Sequence, residues 1–172
     1  MNIFIRQANI DEVKDIVKFI DSTFTKEGYG FVTSSQIETE TARGAVYIAI
    51  TDNTIIGVRV GIKRVYNLTV HPDYRKMDIG KQLILVKPPT TIRVKSEPVG
   101  NLSKEQKENF KNPEGFYDAI GYEYSHHDYS RNFWAGETKD GDKKRIYIKQ
   151  GKKAHIKVYQ KKDRKQKDFD FT

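Results

Sequence analysis

The sequence predicts a single domain of mixed α/β fold. Short runs in which apolar and polar residues alternate, the pattern of half-buried strands, recur along the chain. Between these runs lie stretches with apolar residues at helical spacing, bounded by residues that favour helix ends. The 172 residues are enough to enclose a sizeable core, so one domain is expected.

The first two elements are a strand and a helix. Residues 2–8 alternate, with Ile3 and Ile5 on one face, which indicates a strand. Asn9 and Glu12 have the spacing of a capping box, which predicts that a helix starts there. One face of this helix is apolar and is formed by Val13, Ile16, Val17 and Ile20.

A second helix and a hairpin are predicted next. Ser35 and Glu38 repeat the capping-box spacing, which predicts a short helix over residues 36–43. Residues 45–50 and 55–61 are β-rich, and the four residues between them include Asp and Asn. This pattern is typical of a β-hairpin.

Residues 64–70 form a third β-rich run, which leads into a glycine-bearing basic loop and a helix starting near Ile79. The unpaired N–H groups and the positive dipole end of such a helix face the loop and favour an anion there. Arg75, Lys76 and Lys81 add positive charge at the same place. The sequence therefore predicts an anion site, with an ordinary strand-to-helix turn as the alternative.

The loop resembles the acyl-CoA pyrophosphate loop of the GNAT N-acetyltransferases, whose pattern is Arg/Gln-x-x-Gly-x-Gly/Ala. Residues 75–80 read RKMDIG, so Asp78 stands where the family has its first glycine. Asp tolerates left-handed backbone better than most residues, so the turn can form, but the carboxylate repels phosphates. In the family, the strand before the loop pairs its backbone with the pantetheine arm. The resemblance implies that acetyl-CoA is bound by Leu68, Thr69, Val70, Arg75, Lys76, Met77, Asp78, Ile79, Gly80 and Lys81.

The helix after Gly80 is expected to be short. Residues 87–89 read Lys-Pro-Pro, which cannot continue a helix, whereas GNAT members commonly have a longer helix here. Residues 90–95 alternate and contain β-branched side chains, which predicts a strand. Ser103 and Gln106 then have the spacing of a helix start.

Residues 112–123 resemble the second GNAT signature, FYxxxGF/Y. The matching residues run from Phe116 and Tyr117 to Gly121 and Tyr122. This pattern suits a short helix that is closed by a glycine and followed by a strand. In the family the tyrosine is often the general acid that protonates the departing thiolate, so the resemblance implies that role for Tyr117. An aromatic side chain that only packs on a helix is the alternative.

The C-terminal region is predicted to be β-rich and then highly charged. Strands are expected over residues 123–134 and 143–149, and a further strand is possible over 154–158. The resemblance ends near residue 149, which divides the chain into a GNAT-like domain at 1–150 and a basic extension at 151–172. The last residues of the extension are too charged to fold alone.

The net charge of +8 is concentrated in this region. Residues 143–167 contain twelve Lys or Arg and one Asp, which sum to +11, so the rest of the chain sums to −3. This distribution favours an anionic partner such as nucleic acid, with a solubilising tail as the alternative.

Composition excludes several classes of function. The chain has no cysteine, which excludes disulfides, thiolate catalysis and cysteine-ligated zinc. Its four histidines show no metal-ligand spacing, so no metal is expected. No apolar run approaches the ~20 residues of a membrane span, and a cytoplasmic protein is expected.

The resemblance implies a mixed, mostly antiparallel sheet of six or seven strands with helices on both faces. It also implies that acetyl is transferred from acetyl-CoA to an amine. The general base is not evident, because residues 64–70 carry no carboxylate. Glu27, Glu38, Glu97 and water are the candidates.

Two other functions stay open. Asp78, the short helix and the basic C-terminal end also suit a GNAT-fold enzyme acting on nucleic acid. Examples are the Mom-type DNA modification enzymes and the toxins that acetylate charged transfer RNA. Asp78 by itself also suits a non-catalytic binding module on this scaffold. The usage of Lys, Ile and Tyr is compatible with an AT-rich bacterial or phage genome.

Overall fold

The computed structural model describes residues 2–27, 32–95, 103–111, 114–130, 132–137, 143–147 and 154–161. The strands are β1 (Phe4–Gln7), β2 (Val46–Thr51), β3 (Thr54–Val60), β4 (Arg64–Val65), β5 (Asn67–Val70), β6 (Thr91–Lys95), β7 (Tyr122–Ser130), β8 (Asn132–Glu137), β9 (Lys143–Tyr147) and β10 (Ala154–Lys161). The α-helices are α1 (Val13–Ile20), α2 (Ser34–Ala42), α3 (Ile79–Leu85), α4 (Lys104–Asn109) and α5 (Glu114–Ala119). Two 3₁₀ helices lie at Ile10–Glu12 and Pro72–Met77, and a π-helix lies at Asp21–Thr25.

The described strands form two four-stranded sheets and one hairpin. The first sheet has the order β1-β2-β3-β5, the second has the order β4-β6-β10-β7, and β8 pairs with β9. Every pair is antiparallel except β4 with β6, which is parallel. The mixed, mostly antiparallel arrangement is confirmed, but the expected single sheet is divided into two.

The division falls inside residues 64–70, which the sequence pattern predicts as one strand. Its first part, β4, pairs with β6, whereas its second part, β5, pairs with β3. Gly61 makes the turn before β4 with a φ of 109°, and a Cβ there would lie 1.9 Å from the carbonyl oxygen of Arg64. The two sheets therefore diverge at Tyr66, between β4 and β5.

Helices cover both faces of the first sheet, as the sequence predicts. On one face, α1 and α2 pack against β2 and β3, and the buried cluster consists of Ile16, Ile20, Val32, Ile37, Val46, Ile48, Val58 and Val60. On the other face, α3 packs against the same strands, with Tyr47, Ala49, Ile56, Ile79 and Leu83 buried. The strands β2 and β3 are therefore buried on both sides, which explains their nearly continuous apolar sequences.

The first predicted helix start is confirmed. The Glu12 carboxylate accepts a hydrogen bond from the backbone N–H of Asn9 at 2.8 Å, and it also accepts two from Arg6 at 2.7 and 2.8 Å. These bonds to Arg6 hold the pKa of Glu12 below its ordinary value. The helix then continues past α1 as a π-helix through Thr25.

The second helix start differs from the prediction by two residues. Thr33, not Ser35, is the N-cap of α2, because the Thr33 hydroxyl accepts from the backbone N–H of Gln36 at 3.1 Å. The hairpin between β2 and β3 is confirmed. Its two turn residues, Asp52 and Asn53, have φ values of 48° and 61°, which is the left-handed backbone that short hairpin turns require.

A buried arginine holds the C-terminal end of α3. The Arg59 side chain is fully buried and donates to the carbonyl oxygens of Leu83 at 2.9 Å and Ile84 at 3.1 Å. It also donates to the carbonyls of Gly61 at 3.2 Å and Ile62 at 3.1 Å. Burial lowers the pKa of Arg59. The cation satisfies carbonyls that a helix end leaves unpaired, so it fixes α3 against β3.

The C-terminal strands differ from the prediction in two ways. The run at 123–134 is not one strand, because β7 ends at Ser130 and β8 begins at Asn132. The strand β10 lies between β6 and β7 and is antiparallel to both. Residues 154–161 are therefore an interior strand of the second sheet, and position 150 is not the end of the folded domain. Residues 148–153 and 162–172 lie outside the described residues.

Candidate active site

A cavity of about 390 Å³ lies where the two sheets diverge. Its walls come from the π-helix, β4, β5, β6, the loop with the start of α3, and α5. Lys111, which follows α4, completes the described lining. The described lining residues are Thr23, Phe24, Val65, Tyr66, Asn67, Leu68, Thr69, Val70, Arg75, Asp78, Gly80, Lys81, Arg93, Val94, Lys111, Phe116 and Tyr117. The cavity is large enough for part of a drug-sized ligand.

Most of the site residues predicted from the sequence meet at this cavity. Those that line it are Leu68, Thr69, Val70, Arg75, Asp78, Gly80, Lys81 and Tyr117. Lys76 and Met77 are exposed on the 3₁₀ helix and are not among the lining residues. The Ile79 side chain is fully buried in the core beneath α3, so only the backbone of this residue can serve a ligand.

The backbone of β5 offers hydrogen-bonding groups to the cavity. His71 N–H donates to the carbonyl of Ile56 at 2.8 Å, which identifies this pair as a hydrogen-bonded one in the β3–β5 ladder. Because such pairs alternate in antiparallel sheets, the backbone groups of Leu68 and Val70 point away from β3. The Val70 carbonyl accepts from Arg75 Nε at 3.1 Å on this outer side. The N–H groups of Leu68 and Val70 therefore face the open edge.

Thr69 lines the cavity with its side chain rather than with its backbone. The same alternation turns its backbone groups toward β3, so they cannot pair with a ligand at the open edge. Its side chain does line the cavity, and the hydroxyl donates to Asn67 Oδ1 at 2.8 Å. Of the three β5 residues predicted to hold pantetheine, two present backbone to the cavity and Thr69 presents a side chain.

Asp78 adopts the backbone conformation that the family glycine would supply. Its φ of 59° and ψ of 20° are left-handed, and it is the N-cap of α3. Its carbonyl accepts from Gln82 N–H at 2.9 Å, so the first turn of α3 forms normally. At Gly80 a Cβ would lie 3.2 Å from the Phe116 ring, so the absence of a side chain lets α3 approach α5 closely. The aspartate therefore preserves the turn and adds a negative charge to it.

Arg75 links the loop to the end of the first helical segment. Its guanidinium forms an ion pair with Glu27 and donates to Val70. Glu27, a candidate general base, is thus the ion-pair partner of a candidate phosphate ligand. Glu38 is exposed on α2 and is not a lining residue. Glu97 lies outside the described residues.

Tyr117 is a buried side chain on α5 that reaches the cavity. It is 7% exposed and packs in the cluster that includes Ile84 and Ile92. Its ring meets the Phe116 ring edge-on, with centroids 5.1 Å apart. Gly121 follows α5 with a φ of 97°, which confirms the predicted glycine stop. The signature thus folds as predicted and places the tyrosine opposite β5.

Several lining residues were not predicted from the sequence. Asn67 is 2% exposed, and its Nδ2 atom has no hydrogen-bond partner within the described part of the chain. The signal that could have found it is a polar pair, Asn67 and Thr69, on one face of a strand. Tyr66 lies beside them, and its burial, with the nearby Glu40 carboxylate, raises its pKa. Arg93 lies on the face of β6 opposite the buried Ile92 and Val94, at a polar position of the alternating pattern.

The charge of the described lining is positive. Arg75, Lys81, Arg93 and Lys111 are cationic, and Asp78 is the one acidic residue in this set. Such a lining suits an anionic ligand. Among the described residues, no group of three or more His, Asp and Glu is placed to hold a metal ion. None of the described helices combines the length and apolar character needed to cross a membrane.

The structure is similar to solved N-acetyltransferases. Naa50 of Arabidopsis thaliana, solved with the bisubstrate analogue CoA-Ac-MVNAL, is 15% identical over 95% of this chain and 100% of that chain, with a TM-score of 0.58. PaiA N-acetyltransferase from Thermoplasma acidophilum, solved with coenzyme A, is 15% identical over 94% and 100%, with a TM-score of 0.55. A GNAT-family acetyltransferase from Bacillus cereus is 17% identical over 95% and 100%, with a TM-score of 0.52.

No protein-family model matches the sequence, and no curated protein matches it either. The similarity is therefore one of three-dimensional structure, and it extends over nearly the whole length of the chain and of each neighbour. The two segments that resemble GNAT signatures in the sequence, the β5–loop–α3 segment and α5, also meet at one cavity. On this evidence the protein has the fold of the GNAT acetyltransferases.

Proposed function

We propose that the protein is an acyl-CoA-dependent N-acyltransferase that moves acetyl from acetyl-CoA to an amine. The observation that carries this proposal is the cavity between the diverging sheets. It brings the open edge of β5, the cationic loop before α3 and Tyr117 around one ligand-sized space. These are the three parts that the reaction needs: a backbone edge, an anion site and an acid.

In this proposal the donor lies along β5 and across the start of α3. The Val70 N–H hydrogen-bonds the pantetheine arm, and the Leu68 N–H faces the thioester end of the donor. The first N–H groups of α3, with Arg75 and Lys81, hold the diphosphate. Asp78 opposes the phosphates through its charge, so the affinity is lower than a glycine at this position would give.

The chemistry follows from the placement of these groups. A neutral amine attacks the thioester carbon, and the carbonyl oxygen becomes negative in the tetrahedral intermediate. The Leu68 N–H, which lies farther along β5 from the diphosphate than Val70, is the donor that stabilises this oxyanion. When the carbon–sulfur bond breaks, Tyr117 gives its proton to the departing thiolate. The amine nitrogen loses one proton to water, because Glu27 is in an ion pair with Arg75. Solvent then returns a proton to the Tyr117 oxygen, which restores the acid for the next turnover.

The test is a calorimetric titration of acetyl-CoA into the wild-type protein and two variants. Asp78→Asn keeps a residue that tolerates left-handed backbone and removes only the charge, so we expect affinity to rise about fivefold. Asp78→Gly also relieves the backbone cost and should bind at least as well. If neither variant nor the wild type binds acetyl-CoA, the loop is not a phosphate site and the proposal is wrong.

The finer predictions about partners and location rest on the sequence alone. A nucleic-acid acceptor is supported by the +11 charge of residues 143–167, part of which lies outside the described residues. A cytoplasmic location likewise stays a prediction. A non-catalytic module would bind a partner without binding acetyl-CoA, so the same titration separates it from the enzyme.

A further inference from the structure

The cavity has a second end, on the side of β5 that faces α1 and α2. Asn67 and Thr69 stand opposite Val60 and Val58 in the β3–β5 ladder. Those two valines belong to the buried cluster beneath α1 and α2, so the polar pair shares that side. Phe24, from the π-helix that continues α1, also lines the cavity. This end is formed by β5 and the π-helix, whereas the proposed diphosphate site lies at the loop that follows β5.

A buried hydrogen-bond donor is held at this end. The Thr69 hydroxyl donates to Asn67 Oδ1 at 2.8 Å, which orients the carboxamide. The Nδ2 atom of Asn67 is buried, belongs to a residue that is 2% exposed, and has no partner within the described residues. A buried donor without a partner costs about 1–3 kcal/mol. A ligand oxygen that reaches this atom would remove that cost.

The electrostatics of the cavity oppose a polycationic acceptor. Arg75, Lys81 and Asp78 belong to the proposed diphosphate site, so the charged residues in the rest of the described lining are Arg93 and Lys111, both cationic. No described lining residue on the Asn67 side is a carboxylate. A positive surrounding also disfavours the protonated form of a bound amine, so the neutral nucleophile is favoured without a carboxylate base.

We propose that the acceptor is a monoamine that carries a neutral hydrogen-bond-accepting oxygen close to the amine, as in an amino-acid amide. Asn67 Nδ2 donates a hydrogen bond to that oxygen, so Asn67 determines the class of acceptor. Polyamines are excluded because they carry no such oxygen. This inference rests on the proposed acyl transfer, because the acceptor end has a function only if acetyl-CoA occupies the other end.

The test uses two bisubstrate probes that share one donor half. In the first, coenzyme A is joined through an acetyl bridge to the α-amine of alanyl-alaninamide. In the second, it is joined to one end of spermidine. Coenzyme A alone is the reference. We expect the peptide probe to bind the wild type about tenfold more tightly than coenzyme A, and the spermidine probe to bind no more tightly than coenzyme A.

Two substitutions then assign the preference to Asn67. Asn67→Asp keeps the acceptor for Thr69 and replaces the donor with a negative charge, so the peptide probe should lose about tenfold in affinity and the spermidine probe should gain. Asn67→Ala removes the donor without burying a charge, and it should weaken only the peptide probe. Asn53→Asp, in the exposed hairpin turn, is the matched control and should change neither probe.

The two levels of failure give different results. If coenzyme A and both probes fail to bind the wild type, the proposed function is wrong and this inference is wrong with it. If coenzyme A binds but the spermidine probe equals or exceeds the peptide probe, acyl transfer survives and the acceptor inference is overturned. If both Asn67 variants bind coenzyme A normally and keep the wild-type preference, Asn67 is not the determinant.

Discussion

At the scale of single residues, the proposed reaction depends most on Asp78 and Tyr117. Asp78 shows how a residue other than glycine can hold a left-handed turn: its φ of 59° is in the region that Asp and Asn tolerate best after glycine. Its cost is electrostatic, because the carboxylate lies in the loop that would hold phosphates. Tyr117 is buried, yet it reaches the cavity, so its packing and a catalytic role are compatible.

The residue-scale prediction concerns Tyr117→Phe. The variant keeps the ring that packs on α5 and loses only the hydroxyl, so acetyl-CoA affinity should change by less than about twofold. Loss of a general acid should lower kcat about a hundredfold, measured as thiol release with an amine acceptor. Tyr124→Phe, on the exposed part of β7, is the matched control and should keep full activity. An unchanged kcat in Tyr117→Phe would remove the residue from the mechanism.

At the scale of elements, the position of α3 decides whether the loop faces the cavity. The helix has only two turns, so its own hydrogen bonds stabilise it weakly. Its apolar face packs on β2 and β3, and Arg59 binds the carbonyls at its C-terminal end. The charge that anchors one end of α3 thereby fixes the position of the proposed anion site at the other end.

The element-scale prediction concerns Arg59→Leu. This change leaves the carbonyls of Leu83 and Ile84 buried without their donor, so we expect a loss of roughly 2–4 kcal/mol in the free energy of unfolding. The control is Arg43→Leu, whose side chain is 70% exposed, with an expected change below about 0.5 kcal/mol. Urea denaturation monitored by circular dichroism measures both variants. Equal losses in the two variants would show that Arg59 has no special part in anchoring α3.

At the scale of the whole molecule, the last described strand completes the second sheet. The strand β10 lies between β6 and β7, so β7 is hydrogen-bonded to the rest of this sheet only through β10. Val158 on β10 is 1% exposed, which places this strand in the core. Residues 154–161 therefore contribute to the fold, whatever the basic residues around them bind.

The whole-molecule prediction compares two truncations. A chain ending at residue 161 keeps β10, and we expect its Tm to stay within about 3 °C of the full chain. A chain ending at residue 150 loses the interior strand and should not unfold cooperatively. Thermal circular dichroism distinguishes these outcomes. A cooperative transition at the full-length Tm in the shorter chain would contradict the interior position of β10.

The same pair of truncations is needed for the nucleic-acid prediction. Removing residues 151–172 would abolish binding through loss of the sheet, whether or not the basic end contacts nucleic acid. The chain ending at residue 161 removes only the last basic residues and keeps the strand. Reduced, salt-dependent binding of this chain to DNA or RNA would support a contact with that end. Binding that is absent from the full chain, or independent of salt, would count against it.

Features that depend on neighbours in the sequence could be predicted from the sequence. The capping pair at Asn9 and Glu12, the hairpin at Asp52 and Asn53, and the short α3 each arise from interactions over a few residues. The left-handed turn at Asp78 belongs to this class. The loop and the tyrosine signature likewise stand in an order that resembles the GNAT family, so the fold and many of the residues that line the cavity could be predicted.

Only the tertiary structure decided how the strands pair. Residues 64–70 read as one strand, because local pattern does not distinguish pairing with β3 from pairing with β6. The central position of β10 is a contact between residues far apart in the chain. The cavity and the buried amide of Asn67 exist because the sheets diverge, and that divergence is a property of long-range pairing rather than of any one segment.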